Sequence, residues 1–194
     1  MIYPDAPRQI SADFLARLDA DPPGTWVGGP KKDGKQRCLH YDNGRCVITA
    51  KQHKERDEMQ RHISPPKCDD GVSISGEWVG PRKDSNGNMP RHFFYVFEIL
   101  RFRGEWLRDM SRSARYHTLR LVLRKAAMRE DGAAQWGLLL EVPNPGLVDL
   151  LGHQLTDPES EGIVIRRADS GLILSEQRNE VNPLCLKCKI GGGS

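Results

Sequence analysis

Lysine becomes a nucleophile when something strips its proton, because an unperturbed ammonium has a pKa of about 10.4. Lys31 is a candidate: it follows Gly28-Gly29-Pro30, which reads as a bend, and it precedes Asp33-Gly34, a tight turn. By itself Lys31-Lys32-Asp33-Gly34-Lys35 could equally be a lysine-rich surface turn. A second group is Glu161, which opens Glu161-Gly162-Ile163-Val164-Ile165, an acid at the mouth of an apolar strand. A carboxylate there can hold Mg²⁺ against phosphate oxygens. Lys187 and Lys189 stand two apart on another apolar run, so strand alternation turns both ammoniums to one face, where they can grip a phosphate.

Two further stretches supply the rest. Ile74-Ser75-Gly76-Glu77-Trp78-Val79 carries a second acid, Glu77. Phe94-Tyr95-Val96-Phe97-Glu98-Ile99-Leu100 is an aromatic-rich strand; alternation groups Phe93, Tyr95, Phe97 and Ile99 on one face and Phe94, Val96 and Glu98 on the other. One face must be core, and an aromatic on the other could stack on a purine, a contact of about 1–3 kcal/mol. Taken together, the five stretches hold a lysine nucleophile, two acids, an aromatic platform and two cations, the set a covalent nucleotidyl transfer needs.

The elements that would position them can be read from pattern. Ser11 can cap a helix carrying Phe14, Leu15 and Leu18, which Asp21-Pro22-Pro23-Gly24 stops. Arg37–Tyr41 and Arg45–Thr49, joined through Asn43-Gly44, read as a hairpin. Lys51 to His62 is almost wholly polar, a loop or a solvated helix. Val72–Val79 and Phe93–Leu100 read as strands, and Ser111 or Ser113 can cap a helix to about Met128 with Leu119, Val122, Leu123 and Ala126 at helical spacing. Trp136–Val142 reads as one more strand, Pro145–Leu151 as a short helix, and Gly162–Arg166 and Leu184–Ile190 as late strands. The mixture lacks regular βαβ alternation and predicts an α+β fold with antiparallel sheets.

Bulk composition narrows the class. The chain has 194 residues, 38% hydrophobic and 28% charged, enough for one full domain. Its net charge of +3 permits an anionic partner without demanding one. No apolar run approaches the roughly 20 residues of a membrane span, and Met1-Ile2-Tyr3-Pro4-Asp5 lacks a signal-peptide pattern, so the expectation is a soluble, cytoplasmic protein with no membrane partner. Five cysteines, an odd number, read as reduced thiols; Cys185-Leu186-Lys187-Cys188 has the spacing of half a zinc site, but no other pair supplies a second half.

In order and spacing the five stretches resemble the nucleotidyltransferase domain of ATP-dependent polynucleotide ligases and mRNA capping enzymes. Lys31, Asp33 and Gly34 match the K-x-D-G motif, Ser75-Gly76-Glu77 resembles "DGE", Phe97-Glu98 resembles "FD", Glu161 matches the acid of "EGhVhK", and Lys187 and Lys189 match "hKxK". The resemblance runs from residue 26 to 190. It implies a fold of two antiparallel β-sheets flanked by helices with an ATP cleft between them, and Lys31 as the residue that forms a phosphoramidate with AMP. It implies that Asp33, Gly34, Glu77, Phe97, Glu161, Lys187 and Lys189 bind the nucleotide: Phe97 on the adenine, Glu77 on ribose or metal, Glu161 on Mg²⁺ (or Mn²⁺), and the two late lysines on the α-phosphate as catalytic cations.

The family's usual arginine five residues after the nucleophile is Gln36 here, with Arg37 one further on, and its Ser-Arg after the hairpin is Ala50-Lys51. Arg37 and Lys51 are therefore the candidates for a substrate 5′-phosphate. The implied activity is an ATP-dependent polynucleotide ligase, in the first instance a DNA ligase, that seals nicks in DNA or RNA as a monomer. A capping-type guanylyltransferase and a non-catalytic nick- or end-binding module are the alternatives. Residues 1–190 form the nucleotidyltransferase domain on this reading and 191–194 a flexible tail. The OB-fold domain that normally follows in relatives is absent, so a separate OB-fold or other clamp protein is an implied partner.

Overall fold

The computed structural model describes residues 3–4, 6–50, 58–81, 92–130, 135–172, 174–175 and 181–190. The elements in order are β1 (Tyr3–Pro4), β2 (Ala6–Gln9), α1 (Ala12–Asp19), β3 (Trp26–Lys32), β4 (Lys35–Asp42), β5 (Arg45–Ala50), β6 (Val72–Val79) and β7 (Phe93–Phe102). They continue with β8 (Glu105–Trp106), α2 (Arg112–Ala127), β9 (Trp136–Leu138), β10 (Val142–Pro143), α3 (Leu147–Gln154), β11 (Ser160–Arg167), β12 (Leu174–Ser175) and β13 (Val181–Lys189). The fold is mixed α and β with two principal sheets, mainly antiparallel, as the pattern predicted. No described helix is long and apolar enough to cross a membrane.

The chain divides into two compact units: Met1–Asp33, Arg108–Ser113 and Leu139–Ser194 form the first, and Gly34–Leu107 with Ala114–Leu138 the second. In the first, a five-stranded sheet runs β10-β3-β11-β13-β2, with β2 parallel to β13. Helices α1 and α3 cover one of its faces. Leu15 and Leu18 of α1 and Leu147 and Leu150 of α3 pack with Ile163, Ile165, Leu186 and Cys188 of the sheet. Helix α1 starts where Ser11 accepts from Phe14 N–H at 3.2 Å, the predicted cap.

Two expectations change here. Gly28-Gly29-Pro30 is not a bend but the middle of β3, which pairs with β11 along its length. The glycines serve close packing: a Cβ on Gly28 would meet Leu147 Cδ2 at 2.7 Å. Likewise Trp136–Val142 is not one strand. It splits into β9, beside β7 in the second unit, and β10, beside β3 in the first.

The second unit is built on a six-stranded sheet, β5-β4-β6-β7-β8 with β9 on β7. The hairpin falls at Asn43-Gly44, whose φ values of 53° and 69° are those an Asn-Gly turn supplies. Helix α2 buries Leu119, Leu123 and Ala126 at successive turns. Strict alternation in β7 fails, because its register against β6 shifts between Ser75 and Gly76: Val96 pairs with Gly76 and Glu98 with Ser75, leaving Phe97 in a bulge. Ile99 consequently joins the face of Phe94 and Val96 instead of that of Phe93 and Tyr95.

Candidate nucleotidyl-transfer site

Register assembles the lysines. In β3, β11 and β13, Lys31 lies opposite Gly162, which lies opposite Lys189, and Val164 lies opposite Lys187. Since Ile163, Ile165, Leu186 and Cys188 point to the helices, Lys31, Lys187 and Lys189 share the other face of the sheet. Cys185 and Cys188, an odd number apart on β13, project from opposite faces.

Glu161 reaches the lysines through a backbone irregularity. The β11–β3 register shifts between Ser160 and Gly162, so Glu161 is the bulged residue. Bulges re-aim side chains, and this one delivers a carboxylate to the lysine face. Gly162 is needed beside it: its φ is 133°, and an added Cβ would collide with the Cys188 carbonyl oxygen. Lys31 Nζ donates to Glu161 Oε2, and Lys189 Nζ contacts the same oxygen at 3.1 Å. Burial pushes the Glu161 carboxyl up, but hydrogen bonds with Lys31, Asp33 and Lys189 outweigh it and hold the carboxyl near 2. A carboxylate with so little affinity for protons is a poor general base but a good electrostatic anchor.

The neighbouring residues tie the β3–β4 turn to the same place. Lys32 points the other way from Lys31, is 9% exposed, and pairs with Asp157 Oδ2 at 2.5 Å and Glu159 Oε2 at 3.8 Å. Asp33 N–H donates to the Glu159 carbonyl at 2.9 Å. The segment 157–159 that leads into Glu161 is thus held by both residues that follow Lys31. No motif pointed to Lys32, Asp157 or Glu159; the one trace in the sequence is that Asp157, Glu159 and Glu161 cluster around Pro158.

The remaining predicted residues lie in the second unit, which begins at Gly34. Gly34 is a site of close approach: a Cβ would meet Trp78 O at 2.5 Å and Glu77 Cγ at 3.0 Å. Glu77 is half-buried and faces Gln36 on β4 and Tyr95 on β7 in the strand register. Phe97 is half-buried in the β7 bulge. Arg37 lies on the opposite sheet face from Gln36 and Glu77, buried, with its guanidinium 5.5 Å from the Trp78 ring. Gln36, at the family's arginine position, bonds Ser75 Oγ at 3.3 Å. Lys51 lies outside the described residues.

The sequence reading overlooked two arginines. Arg115 of α2 forms a buried pair with Glu98, Nε to Oε1 at 3.2 Å and Nη2 to Oε2 at 3.3 Å, with both side chains at most 3% exposed. Arg112, fully buried, donates through Nε to Glu141 at 3.0 Å in the first unit.

The two sheets, their topology and the helices on them define the fold of the nucleotidyltransferase domain of ATP-dependent DNA ligases. Three solved structures carry the likeness. Mycobacterial DNA ligase D, complexed with ATP and MES, matches with a TM-score of 0.69 at 18% identity, covering 97% of this chain and 60% of that one. Chlorella virus DNA ligase-adenylate matches with 0.61 at 12% identity over 95% of this chain and 67% of that one. The ATP-dependent DNA ligase of bacteriophage T7, in complex with ATP, matches with 0.60 at 14% identity over 96% and 68%. The chain therefore spans about three-fifths of the length of the mycobacterial ligase. No protein-family model and no curated protein matches it.

Proposed function

We propose that this chain is the adenylylation domain, residues 1–190, of an ATP-dependent polynucleotide ligase acting on nicked DNA. The observation that carries the reading is the convergence of Lys31 and Lys189 on one oxygen of Glu161, in a fold shared with ATP-dependent DNA ligases. After Nζ of Lys31 sheds its proton to solvent, its lone pair attacks the α-phosphorus of ATP. The N–P bond forms and the nitrogen gives up a second proton to solvent, the P–O bond to the β-phosphate breaks, and pyrophosphate leaves with the electron pair. Lys189 and Lys187 neutralise charge developing on the α-phosphate oxygens. AMP then passes to a 5′-phosphate as the N–P bond breaks, and a 3′-hydroxyl displaces AMP to close the strand.

Among the described residues no three His, Cys, Asp or Glu side chains gather into a ready-made metal cage. Mg²⁺ needs none, since it is usually held by one or two carboxylates, substrate phosphates and water. Glu161, kept ionised, fits that demand. Bound there, Mg²⁺ would supply Lewis-acid polarisation of the phosphate. Glu77 and Phe97 keep the roles the resemblance gives them, ribose or metal contact and adenine stacking, and Arg37 and Lys51 remain the candidates for the 5′-phosphate.

The test is to incubate the protein with Mg²⁺ and ATP labelled in the α-phosphate and run a denaturing gel. Wild type should retain label and Lys31→Ala should not. Label retained from GTP in preference to ATP would indicate guanylyl transfer, and no label at all would refute the reading.

A further inference from the structure

Tyr41, near the end of β4, is buried, and its hydroxyl donates to the Pro66 carbonyl at 2.6 Å. The N–H of Cys68 donates to the same carbonyl at 3.0 Å, which brings Cys68 beside the phenol. From the other direction comes Cys46 of β5. It stands directly opposite Tyr41 in the strand register, so the two side chains share one face of the hairpin. Both thiols lie within hydrogen-bonding reach of the Tyr41 hydroxyl oxygen. That oxygen gives its own proton to Pro66, so its lone pairs are left to accept from the two S–H groups. Two cysteines far apart in the chain are thereby gathered on one atom.

The surrounding contacts hold the same two segments together without a covalent bond. Strand β5 is the edge of its sheet, and residues 59 to 71 are laced to the hairpin it belongs to. Gln60 Nε2 donates to the Cys46 carbonyl at 3.2 Å, Gly44 N–H to Asp70 Oδ1 at 2.9 Å, and Gly71 N–H to the Tyr41 carbonyl at 2.8 Å. The other three cysteines have no such pairing. Cys38 is wholly buried against Ser75, and Cys185 and Cys188 project from opposite faces of β13.

We infer that Cys46 and Cys68 form a disulfide when the protein meets a small-molecule disulfide oxidant, joining edge strand β5 covalently to the segment that leads into β6. With oxidised glutathione the Cys46 thiol gives its proton to solvent and its sulfur attacks one glutathione sulfur. The S–S bond of the oxidant breaks, and the first glutathione leaves as a thiolate that takes up a proton. Cys68, deprotonated in turn, attacks Cys46 Sγ and expels the second glutathione in the same way. Two protein thiols are oxidised and one glutathione disulfide is reduced to two thiols. Burial pushes the Cys46 thiol up to about 11 and the Cys68 thiol up to about 12, so Cys46 attacks first and closure is slow at neutral pH. Thiols of high pKa are also poor leaving groups, so the closed bond reopens slowly. The pair is a lasting clamp and not a fast sensor. This inference stands apart from the ligase reading, and adduct formation has no bearing on it.

The test is to hold the reduced wild-type chain with oxidised glutathione at about pH 9, where thiolate is more abundant, and then to block the remaining thiols. Two of the five thiols should disappear, and a digest read by mass spectrometry should contain one peptide pair joined through Cys46 and Cys68. Closing a loop of about 20 residues should lower the unfolding constant in urea by roughly 100-fold relative to the reduced chain. Cys46→Ser and Cys68→Ser should each lose the bond and the gain together. No loss of thiols overturns the inference, as does glutathione left standing on either cysteine, or a bond to another cysteine or another chain. A Cys46–Cys68 bond that leaves the unfolding constant unchanged, or raises it, overturns the clamp.

Discussion

Replacing Glu161 with Gln removes the one charge that Lys31 and Lys189 share, and the structure sets both the size and the pH dependence of the effect. The folded carboxyl titrates near 2 against an ordinary 4.5. A folded value below the unfolded one means that ionisation favours the fold: the stabilisation is complete above pH 4.5 and is lost as pH falls towards 2. At about 1.36 kcal/mol per pH unit the full gap would be worth roughly 3.4 kcal/mol. Solvent reaches both partners, with Lys31 23% and Glu161 27% exposed, so screening reduces it to about 1–2 kcal/mol. Urea unfolding of wild type and Glu161→Gln between pH 7 and 2.5 measures the difference. It should be about 1–2 kcal/mol from pH 7 to 5 and shrink steadily below 4.5. Parallel curves across the whole range, or a variant more stable than wild type at pH 7, would refute the claim that Glu161 is held ionised by the lysines.

Three further outcomes follow from particular contacts. Lys32→Met should cost about 1–2 kcal/mol by leaving Asp157 and Glu159 without their buried cation, and should lower the adduct rate more than the ATP KM, with Lys32→Arg restoring part of both. Glu98→Gln should cost about 3–5 kcal/mol in a urea titration because Arg115 is left buried and charged, whereas Glu98→Leu with Arg115→Met should recover most of the loss. Gly162→Ala should lower the thermal midpoint sharply, since a Cβ there is both strained at φ 133° and in collision with Cys188 O; a midpoint within a degree of wild type would mean the bulge is not built as described.

Short-range signals carried most of what was legible. Val72–Val79 was read to the residue because apolar content and flanking turns mark both ends. The hairpin was legible because Asn-Gly names its own turn, and Lys187 and Lys189 because alternation survives in an unbroken strand. The parts that were hidden depend on partners far along the chain. A bulge comes from register against another strand, so the sequence could not show that Glu161 and Phe97 are each the extra residue in one. Gly162 was a trace of the first. Arg112 and Arg115 were overlooked because helix periodicity cannot see Glu141 or Glu98. Gly28-Gly29-Pro30 misled for the converse reason: glycines usually mark bends, and here Gly28 makes room for a leucine of α3.

Where AMP attaches tests the central claim most directly. The adduct formed with ATP and Mg²⁺ should be digested and its AMP-bearing peptide sequenced by mass spectrometry. The account predicts the modification on Nζ of Lys31, the lysine that shares the Glu161 oxygen with Lys189. Modification of Lys32, Lys187 or Lys189 instead, or the absence of any AMP-bearing peptide, would contradict it.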